Sequence, residues 1–347
     1  MPQPVTAGSY VERGRRLNSE SLIMKICIYG AGAIGGWLGH RLAAPGCQVS
    51  MVARGATLTA LRQEGLQLHQ GGSVSSQAVA ASAAPADFGE QDLVVLSVKG
   101  PALVGVAKTI APLIGENTIV LTAMNGVPWW FLHRFGGQYA GRCLTSVDPN
   151  GQIAAAIAPA HVVGCVVHAS CSVDSPGVVR HHFGNKLIIG EATGEKSSRV
   201  LALAALLERA GFDAPVSEQI QKDIWFKLWG NMTVNPISAL TGATTDLILG
   251  DDLVRGFMSS VMLEAKEIGA RLGIAIDQQP EDRHAVTAKL GAFKTSMLQD
   301  VEAGKAVELD ALVAAVKELG TVTQVATPYT DALLGLARLQ GRVRGLY

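Results

Sequence analysis

A glycine-rich run, residues 30–36 (GAGAIGG), directly follows the short apolar segment Lys25–Tyr29 and leads into a stretch with helical character. A strand, a glycine turn and a helix start, in that order, are the context in which G-x-G-x-x-G indicates dinucleotide binding. Gly30 permits the tight turn, Gly32 lets a pyrophosphate approach the backbone, and Gly35 lets the helix pack close to its strand. Free N–H groups at the helix N-terminus face the phosphates. The predicted cofactor contacts are Gly30, Ala31, Gly32, Ala33, Ile34 and Gly35.

The residue that ends the second predicted strand indicates which dinucleotide binds. An NAD site carries Asp or Glu there, about 20 residues after the glycine motif, to hold the ribose 2′-hydroxyl. Here the strand ends in Val52-Ala53-Arg54, so a cation occupies that position. A guanidinium forms strong, bidentate hydrogen bonds with a phosphate group. Arg54 therefore predicts NADPH as the cofactor, and we expect its guanidinium to bind the 2′-phosphate.

The composition of the chain indicates which kinds of binding partner to expect. Its 347 residues are 48% hydrophobic and 17% charged, which is typical of a globular protein with about two domains. Lys plus Arg and Asp plus Glu number 29 each, so neither nucleic acid nor an acidic membrane surface is an expected partner. The longest apolar stretch, residues 153–167, is interrupted by Pro159 and His161 and is too short to span a membrane. We expect the partner to be a small molecule.

The cysteines and the N-terminal segment indicate a cytoplasmic protein. The five cysteines are an odd number without a C-x-x-C pair, which is typical of reduced thiols, and no metal site is expected. Residues 1–22 include Arg13, Arg15 and Arg16 but no apolar core, so they do not form a secretory signal. We expect residues 1–23 to be a disordered extension, or translation to begin at Met24.

The order of short β-branched runs and helical stretches predicts two kinds of domain. Residues 24–216 alternate strands and helices, as a parallel α/β sheet requires, whereas long helical periodicities follow. The fold class is therefore α/β plus all-α, with a Rossmann-type NADPH-binding domain at 24–216 and a helical substrate and catalytic domain at 217–347. The predicted strands are 25–29, 48–53, 92–97, 117–122, 162–169 and 186–191, the predicted helices are 220–232, 251–269, 283–300 and 309–319, and the Ala/Ser-rich stretch 73–86 is a predicted linker.

The first helix of the second domain places polar groups beside an apolar face. Lys227 and Asn231 are four residues apart, at the margin of the apolar face. Asn235 follows on the same ridge, just before Pro236, which is expected to end the helix. A lysine in this position often only snorkels from the core into water. Three polar side chains along one ridge of the helix, beside an apolar face, also fit the lining of a pocket for a polar substrate. The apolar face consists of Ile220, Ile224, Trp225, Leu228, Trp229 and Met232.

Further polar residues fall at strand ends or helix starts. Lys99 follows the third strand, and Asn125 lies in an Asn-Gly turn after the fourth, at the edge where doubly wound sheets bind ligands. Lys99 also fits an ordinary solvated lysine, and Asn125 also fits a simple turn. Ser296 shares a helical face with Asp300, and Glu308 lies at the start of another helix. The alternative to a functional role for these residues is a solvated helix face, or a charge that stabilises the helix dipole.

Together these segments resemble the ketopantoate reductase (2-dehydropantoate 2-reductase) family, over residues 24–329. A lone glycine motif is shared by many dehydrogenases, but the ordered set of segments is far more specific. The segments that carry the resemblance are KICIYGAGAIGG, the strand end at Lys99, MNGV with Asn125, IWFKLWGNMTVNP, TSMLQD, the E-x-D of Glu308 and Asp310, and ATP at 326–328. The chain departs from the pattern in its aromatic bulk at Trp129-Trp130, for which packing is expected, and in Trp229-Gly230.

The resemblance implies a role for each candidate. Lys227 matches the general acid that protonates the carbonyl oxygen as hydride arrives, and Glu308 matches the glutamate near that lysine, so these two are the catalytic candidates. The implied substrate-binding residues are Asn125, Asn231, Asn235 and Ser296. The implied cofactor contacts beyond the glycine turn are Arg54, Lys99 and Asn125.

The leading hypothesis is an NADPH-dependent enzyme that reduces 2-dehydropantoate to (R)-pantoate in pantothenate and coenzyme A biosynthesis. One alternative is a paralogous oxidoreductase of another 2-keto or hydroxy acid that keeps Lys227 and Arg54. A second is a non-catalytic NADPH-binding sensor, which would have no need for a proton donor. The sequence leaves a monomer and a homodimer open.

Overall fold

A computed structural model describes residues 24–347, and the expectation for residues 1–23 lies outside that range. The strands are β1 Lys25–Tyr29, β2 Gln48–Val52, β3 Leu66–Gln70, β4 Ser73–Gln77, β5 Ala80–Ser82, β6 Gln91–Leu96, β7 Ile114–Thr122, β8 Val162–Ser175 and β9 Val178–Glu191. The α-helices are α1 Ala33–Ala43, α2 Gly55–Glu64, α3 Leu103–Ala107, α4 Gln152–Ala156, α5 Ser198–Arg209, α6 Ile220–Thr241, α7 Thr245–Gly250, α8 Asp252–Leu272, α9 Pro280–Ala288, α10 Ser296–Glu302, α11 Ala315–Thr323 and α12 Pro328–Val343. Strands thus precede a helical half, which confirms the predicted fold class.

All strands join one sheet in the order β4-β3-β9-β8-β7-β6-β1-β2-β5. The segment from β5 to β8 is parallel and has the strand order of a doubly wound Rossmann sheet. At its centre Ile28 pairs with Met51 on one side and Val95 on the other, and all three are fully buried. Burial on both faces explains why these strands are continuous apolar runs in the sequence.

The stretch predicted to be a linker, residues 73–86, in fact contains two strands. β4 forms an antiparallel hairpin with β3 through a turn at Gly71 and Gly72, both of which have positive φ. β5 adds the edge strand beside β2. Because β4 is almost wholly exposed, it lacks the apolar alternation by which a strand is recognised. The linker prediction was therefore wrong.

The two faces of the sheet lead into two hydrophobic cores. One core lies between the sheet and helices α1 and α5, with Trp37 and Leu207 at its centre. The other joins sheet residues such as Val120 to Trp225 and Trp229 of α6, and it continues through the helical half. Helix α6 therefore packs directly on the sheet. Within residues 24–347 no helix combines the length and apolar character that crossing a bilayer requires.

Two of the predicted helices differ most from the observed ones. Helix α6 does not end before Pro236 but continues to Thr241, where Gly242 caps it in a left-handed conformation. An internal proline removes one backbone hydrogen bond, and the buried contacts of Ile237 and Ala239 offset that loss. The predicted helix 283–300 is two helices, α9 and α10, because Thr295 ends the intervening loop and caps α10 by accepting a hydrogen bond from Leu298 N.

Candidate active site

The glycine turn joins β1 to α1 at the carboxyl edge of the sheet. Gly30 has a φ of +111°, which a residue with a side chain rarely adopts. A Cβ on Gly35 would collide with the Gly30 carbonyl oxygen and the Ser97 hydroxyl, so this glycine permits the close approach of helix and strand. A Cβ on Gly32 would meet nothing within 4 Å, and no side chain caps the N-terminus of α1. The uncapped N–H groups fit a pyrophosphate.

Arg54 lies at the end of β2, the strand beside β1, and directly precedes α2. Its side chain is exposed, and within residues 24–347 it forms neither a hydrogen bond nor an ion pair. A guanidinium at the end of the second Rossmann strand is well placed for the 2′-phosphate of NADPH. The structure thus places the predicted cation beside the glycine turn, on the predicted edge of the sheet.

Lys227 extends from α6 toward the sheet. Its Nζ donates to Asn125 Oδ1 at 2.8 Å and to the Val167 carbonyl oxygen at 2.6 Å. The pKa of this ammonium is lowered from 10.5 to about 8, chiefly by burial and also by the positive charge of Arg283, against the opposing influence of Cys165 and Glu308. A lysine that is aimed by two acceptors and has a pKa near neutrality is well suited to release a proton.

The turn that carries Asn125 is fixed against the helical half. Gly126 adopts a positive φ of +84°, and a Cβ there would lie 2.6 Å from the Ala311 Cβ atom. Val127 N donates to the Ala311 carbonyl oxygen at 2.9 Å, and Ala311 belongs to a π-helical turn, Asp310–Ala314, that leads into α11. Asn125 therefore reaches Lys227 from a turn that both halves of the chain hold in place.

Glu308 and Lys99 meet at the same edge of the sheet. The Glu308 Oε1 atom accepts a hydrogen bond from Gly100 N at 3.0 Å, and burial raises the pKa of this carboxyl. Lys99 forms an ion pair with Asp300 at 2.6 Å and donates to the Ala306 carbonyl oxygen at 2.9 Å. The carboxylate and the lysine thereby connect the end of β6 to the helical half. The sequence had predicted each residue but not these pairings.

Three of the other candidates occupy different environments. Asn231 shares a small cavity with Lys227 and Asn125, as the helical spacing predicted. Asn235 is buried on α6, only 6% exposed, one turn further from Lys227. Ser296 is exposed at the start of α10, a helix that packs against α6. The structure therefore brings Asn231 to the lysine directly, whereas Asn235 and Ser296 do not line that cavity.

A cavity of about 300 Å³ opens next to Asn125 and Glu308. Its polar side also includes the Gly100 backbone, and its wall is apolar. Trp129 and Trp130 pack in the core as predicted, but they also line this cavity, and their indole N–H groups have no hydrogen-bond partner among the described residues. The apolar wall includes Leu103, Met124, Val127, Ile153 and Ile224.

Sequence reasoning missed three contributors to this site. The Val167 carbonyl and the Gly100 N–H are backbone groups, which carry no side-chain signal. Arg283 lies beside α6 and lowers the pKa of Lys227. A single arginine in a polar helix resembles an ordinary surface residue, so only its contact with Gly230 in three dimensions distinguishes it.

Comparison with known proteins places these observations in context. The family described as Ketopantoate reductase PanE/ApbA matches residues 26–194, and its C-terminal domain family matches residues 219–340. A 2-dehydropantoate 2-reductase of Mesorhizobium japonicum is 46% identical over 325 residues, which is 93% of this chain and 100% of that protein.

Solved structures show the same architecture. A candidate ketopantoate reductase from Ralstonia solanacearum MolK2 superimposes with a TM-score of 0.90 at 55% identity, over 94% of this chain and 100% of that one. A D-mandelate dehydrogenase in complex with NADH and anilino(oxo)acetate has a TM-score of 0.80 at 21% identity, over 93% of this chain and 100% of that one. At that identity the likeness shows a shared fold.

Proposed function

Because the chain belongs to the ketopantoate reductase family of NAD(P)-dependent oxidoreductases, we propose that it reduces 2-dehydropantoate to (R)-pantoate with NADPH. This is a step of pantothenate and coenzyme A biosynthesis. The observation that carries the proposal is the placement of Lys227, which Asn125 and the Val167 carbonyl hold at the cleft near Glu308.

Lys227 is the proposed general acid. NADPH, when bound, would supply the hydride, and hydride addition to the carbonyl carbon would leave a negative charge on the carbonyl oxygen. An ammonium beside that oxygen stabilises the negative charge and donates the proton that completes the alcohol. Glu308, close enough to raise the pKa of Lys227, favours its protonated form before the reaction.

The cofactor would lie along the carboxyl edge of the sheet. The glycine turn, residues 30–35, would hold the pyrophosphate, and Arg54 would hold the 2′-phosphate. Lys99, Asn125 and Glu308 are the proposed contacts nearer the nicotinamide. Together they would orient the dinucleotide toward Lys227.

The substrate would occupy the cleft between a Rossmann-type unit at 24–216 and a helical unit at 217–347. Asn125 and Asn231 are its proposed contacts beside the lysine. Asn235 and Ser296 would contribute after a closure of the cleft, since neither reaches the Lys227 cavity in this structure. Such closures are common in enzymes that exclude water from the reaction. A homodimer and a monomer both remain compatible with this proposal.

A second candidate function is the reduction of a 2-keto acid with a larger apolar body. The cavity of about 300 Å³ beside Asn125 favours it, because two tryptophan side chains line a space that lies within reach of the same polar groups. Lys227 and Arg54 would keep their roles. A panel of 2-keto acids with aliphatic and aromatic bodies separates this candidate from the first.

The test is the loss of reduced-nicotinamide absorbance with purified protein and 2-dehydropantoate, measured in parallel with NADPH and NADH. Rapid oxidation of NADPH, with little oxidation of NADH, is the expected result. Turnover of other 2-keto acids alone would move the assignment to the second candidate. Binding of NADPH without any turnover across the panel would leave a non-catalytic sensor.

A further inference from the structure

Arg283 of α9 lies against the candidate catalytic helix. Its guanidinium packs on Gly230 and over the ring of Phe226, with the guanidinium carbon 5.5 Å from the ring centroid. Gly230 follows Lys227 by three residues and directly precedes Asn231, so the guanidinium flanks the helix surface that carries both polar groups. This placement brings a permanent positive charge to the side of the cleft.

The structure pairs the Arg283 side chain with no acceptor in the part of the chain that it describes. The Nε atom of Arg283 is buried and has no hydrogen-bond acceptor within residues 24–347. None of the ion pairs found in those residues includes Arg283. A guanidinium cannot be neutralised at ordinary pH, so the desolvation of its buried Nε–H group remains uncompensated without an acceptor. An anion supplied from outside the chain would compensate it.

The surroundings of Arg283 are cationic. The pKa of the His168 imidazole is lowered to about 4, chiefly by burial and also by the positive charges of Lys227, Arg283 and Lys186. His168 directly follows Val167, whose carbonyl holds the Lys227 ammonium. Arg283 therefore lies near the reacting end of the cleft, where Lys227 is a second cation and the carboxyl of Glu308 acts on that lysine. Such a set of charges favours a small anion.

We propose that Arg283 binds the carboxylate of the 2-keto acid substrate, an inference that rests on the proposed function and adds a specificity-determining residue to it. In a 2-keto acid the carboxylate is attached directly to the carbonyl carbon, so a group that holds it must lie beside the proton donor. A planar guanidinium matches the two oxygens of a carboxylate. The Phe226 ring packs against the guanidinium and would help to hold it in place for that contact.

Gly230 makes room for this arrangement. A Cβ at that position would lie 2.5 Å from the Arg283 Nε atom and 2.9 Å from its Nη2 atom. Glycine in a helix interior costs about 0.5–1 kcal/mol relative to alanine, so its presence here has a local reason. The glycine and the arginine form a fitted pair, and any side chain at position 230 would displace the guanidinium.

The test compares Arg283→Met with Arg209→Met, which removes the same charge from the exposed end of α5. We expect Arg283→Met to raise the KM for 2-dehydropantoate by about a hundredfold while kcat changes by less than about tenfold. Ketopantoyl lactone lacks a carboxylate, so its turnover should be equal in Arg283→Met and wild type. Arg283→Lys, which keeps the charge but not the fork, should give an intermediate KM.

A second measurement uses the glycine. Gly230→Ala should raise the KM in the wild-type background by about tenfold but should add nothing in the Arg283→Met background, because the two changes act on one contact. Gly256→Ala in α8, where a Cβ meets nothing within 4 Å, is the matched helix control. Additive effects of Gly230→Ala and Arg283→Met would overturn the proposal.

Two outcomes separate this inference from the proposed function. A wild-type enzyme that reduces 2-dehydropantoate, with a KM that Arg283→Met changes by less than about threefold, would refute the role of Arg283 alone. A wild-type enzyme that reduces only another 2-keto acid would refute the substrate assignment, and the same variants are then compared with that acid. If no acid is turned over, the rise in Tm caused by pantoate is compared, and an equal rise in Arg283→Met refutes the inference.

Discussion

At the scale of single residues, Lys227 is the proposed general acid. Lys227→Ala should lower kcat by about 10²–10⁴-fold, the range for loss of a general acid, and should leave the Kd for NADPH nearly unchanged. Lys222→Ala is the control, because that lysine is exposed on the same helix. Steady-state kinetics with fluorescence titration of NADPH measure both quantities. Near-normal turnover in Lys227→Ala would show that Lys227 is not the general acid.

The lowered pKa of Lys227 also predicts a pH dependence. The proposed proton donor is the ammonium form of Lys227, which predominates below the pKa of about 8 and is lost as the pH rises through it. We therefore expect kcat to be level below that pH and to fall by about tenfold per unit above it. A pH profile of kcat under saturating substrate measures this limb. A profile that stays level to pH about 10, near the pKa of an exposed lysine, would contradict the buried environment.

Arg54 should determine the choice of cofactor. Arg54→Ala should weaken NADPH by about ten- to a hundredfold, the effect of losing a charged hydrogen-bond partner, and should change NADH little. The binding of both cofactors is measured by fluorescence titration at two salt concentrations, since this exposed contact should weaken with salt. Arg209→Ala serves as the charge control. Equal losses for NADPH and NADH would show that Arg54 does not contact the 2′-phosphate.

At the scale of elements, the turn at Gly126 is held by its contact with the π-helical turn. Gly126→Ala introduces a Cβ 2.6 Å from Ala311 at a residue with φ of +84°. Gly137→Ala is the matched control, because it has a φ of +56° and open space around the Cβ position. Both should lose about 1–2 kcal/mol of stability through backbone strain. Only Gly126→Ala should lose a further 1–3 kcal/mol or so through overpacking.

The Gly126 variant should also lose activity through Asn125. A displaced turn would withdraw the amide oxygen that accepts from the Lys227 ammonium, so kcat should fall while Gly137→Ala stays near wild type. Urea unfolding and steady-state kinetics measure the two effects separately. Equal behaviour of both variants would show that the contact with Ala311 does not position the site.

At the scale of the whole molecule, the ion pair of Lys99 with Asp300 joins the sheet to the helical half. Its side chains are 34% and 19% exposed, so it is less screened than the pair of Lys294 and Glu302, whose side chains are 52% and 47% exposed. A double-mutant cycle with Lys99→Met and Asp300→Asn should give a coupling of about 1 kcal/mol in urea unfolding. The cycle with Lys294→Met and Glu302→Gln should give less than about 0.5 kcal/mol. Equal coupling energies would show that the pair of Lys99 and Asp300 stabilises the protein no more than an exposed ion pair does.

The sequence was most informative where one local pattern determines the structure. The glycine turn and the buried strands required only the neighbouring residues, and the spacing of Lys227 and Asn231 required only the period of a helix. The course of α6 beyond Pro236 could not be predicted, because contacts from distant parts of the chain offset the local penalty of proline. Strand β4 was missed since its residues are exposed on both sides.

Contacts between residues that are far apart in the chain could not be predicted from the sequence, for a different reason. Glu308 and Gly100 are 208 residues apart, and Lys99 and Ala306 are 207 apart, so no local pattern links them. That Arg283 Nε has no acceptor among residues 24–347 is likewise visible only once the possible acceptors there have positions. Residue types could suggest a polar-substrate pocket, but the charge balance of that pocket depends on the fold.

The hydrophobic core that runs from the sheet through α6 into the last helices has a consequence for the lifetime of the protein in the cell. Because both halves share it, we expect them to unfold together, so a ligand that binds one half protects the whole chain from proteases. NADPH at about 100 times its Kd would add about 2.7 kcal/mol to the stability of the chain, and unfolded chains would become correspondingly rare. The abundance of this reductase would then follow the supply of its own reductant.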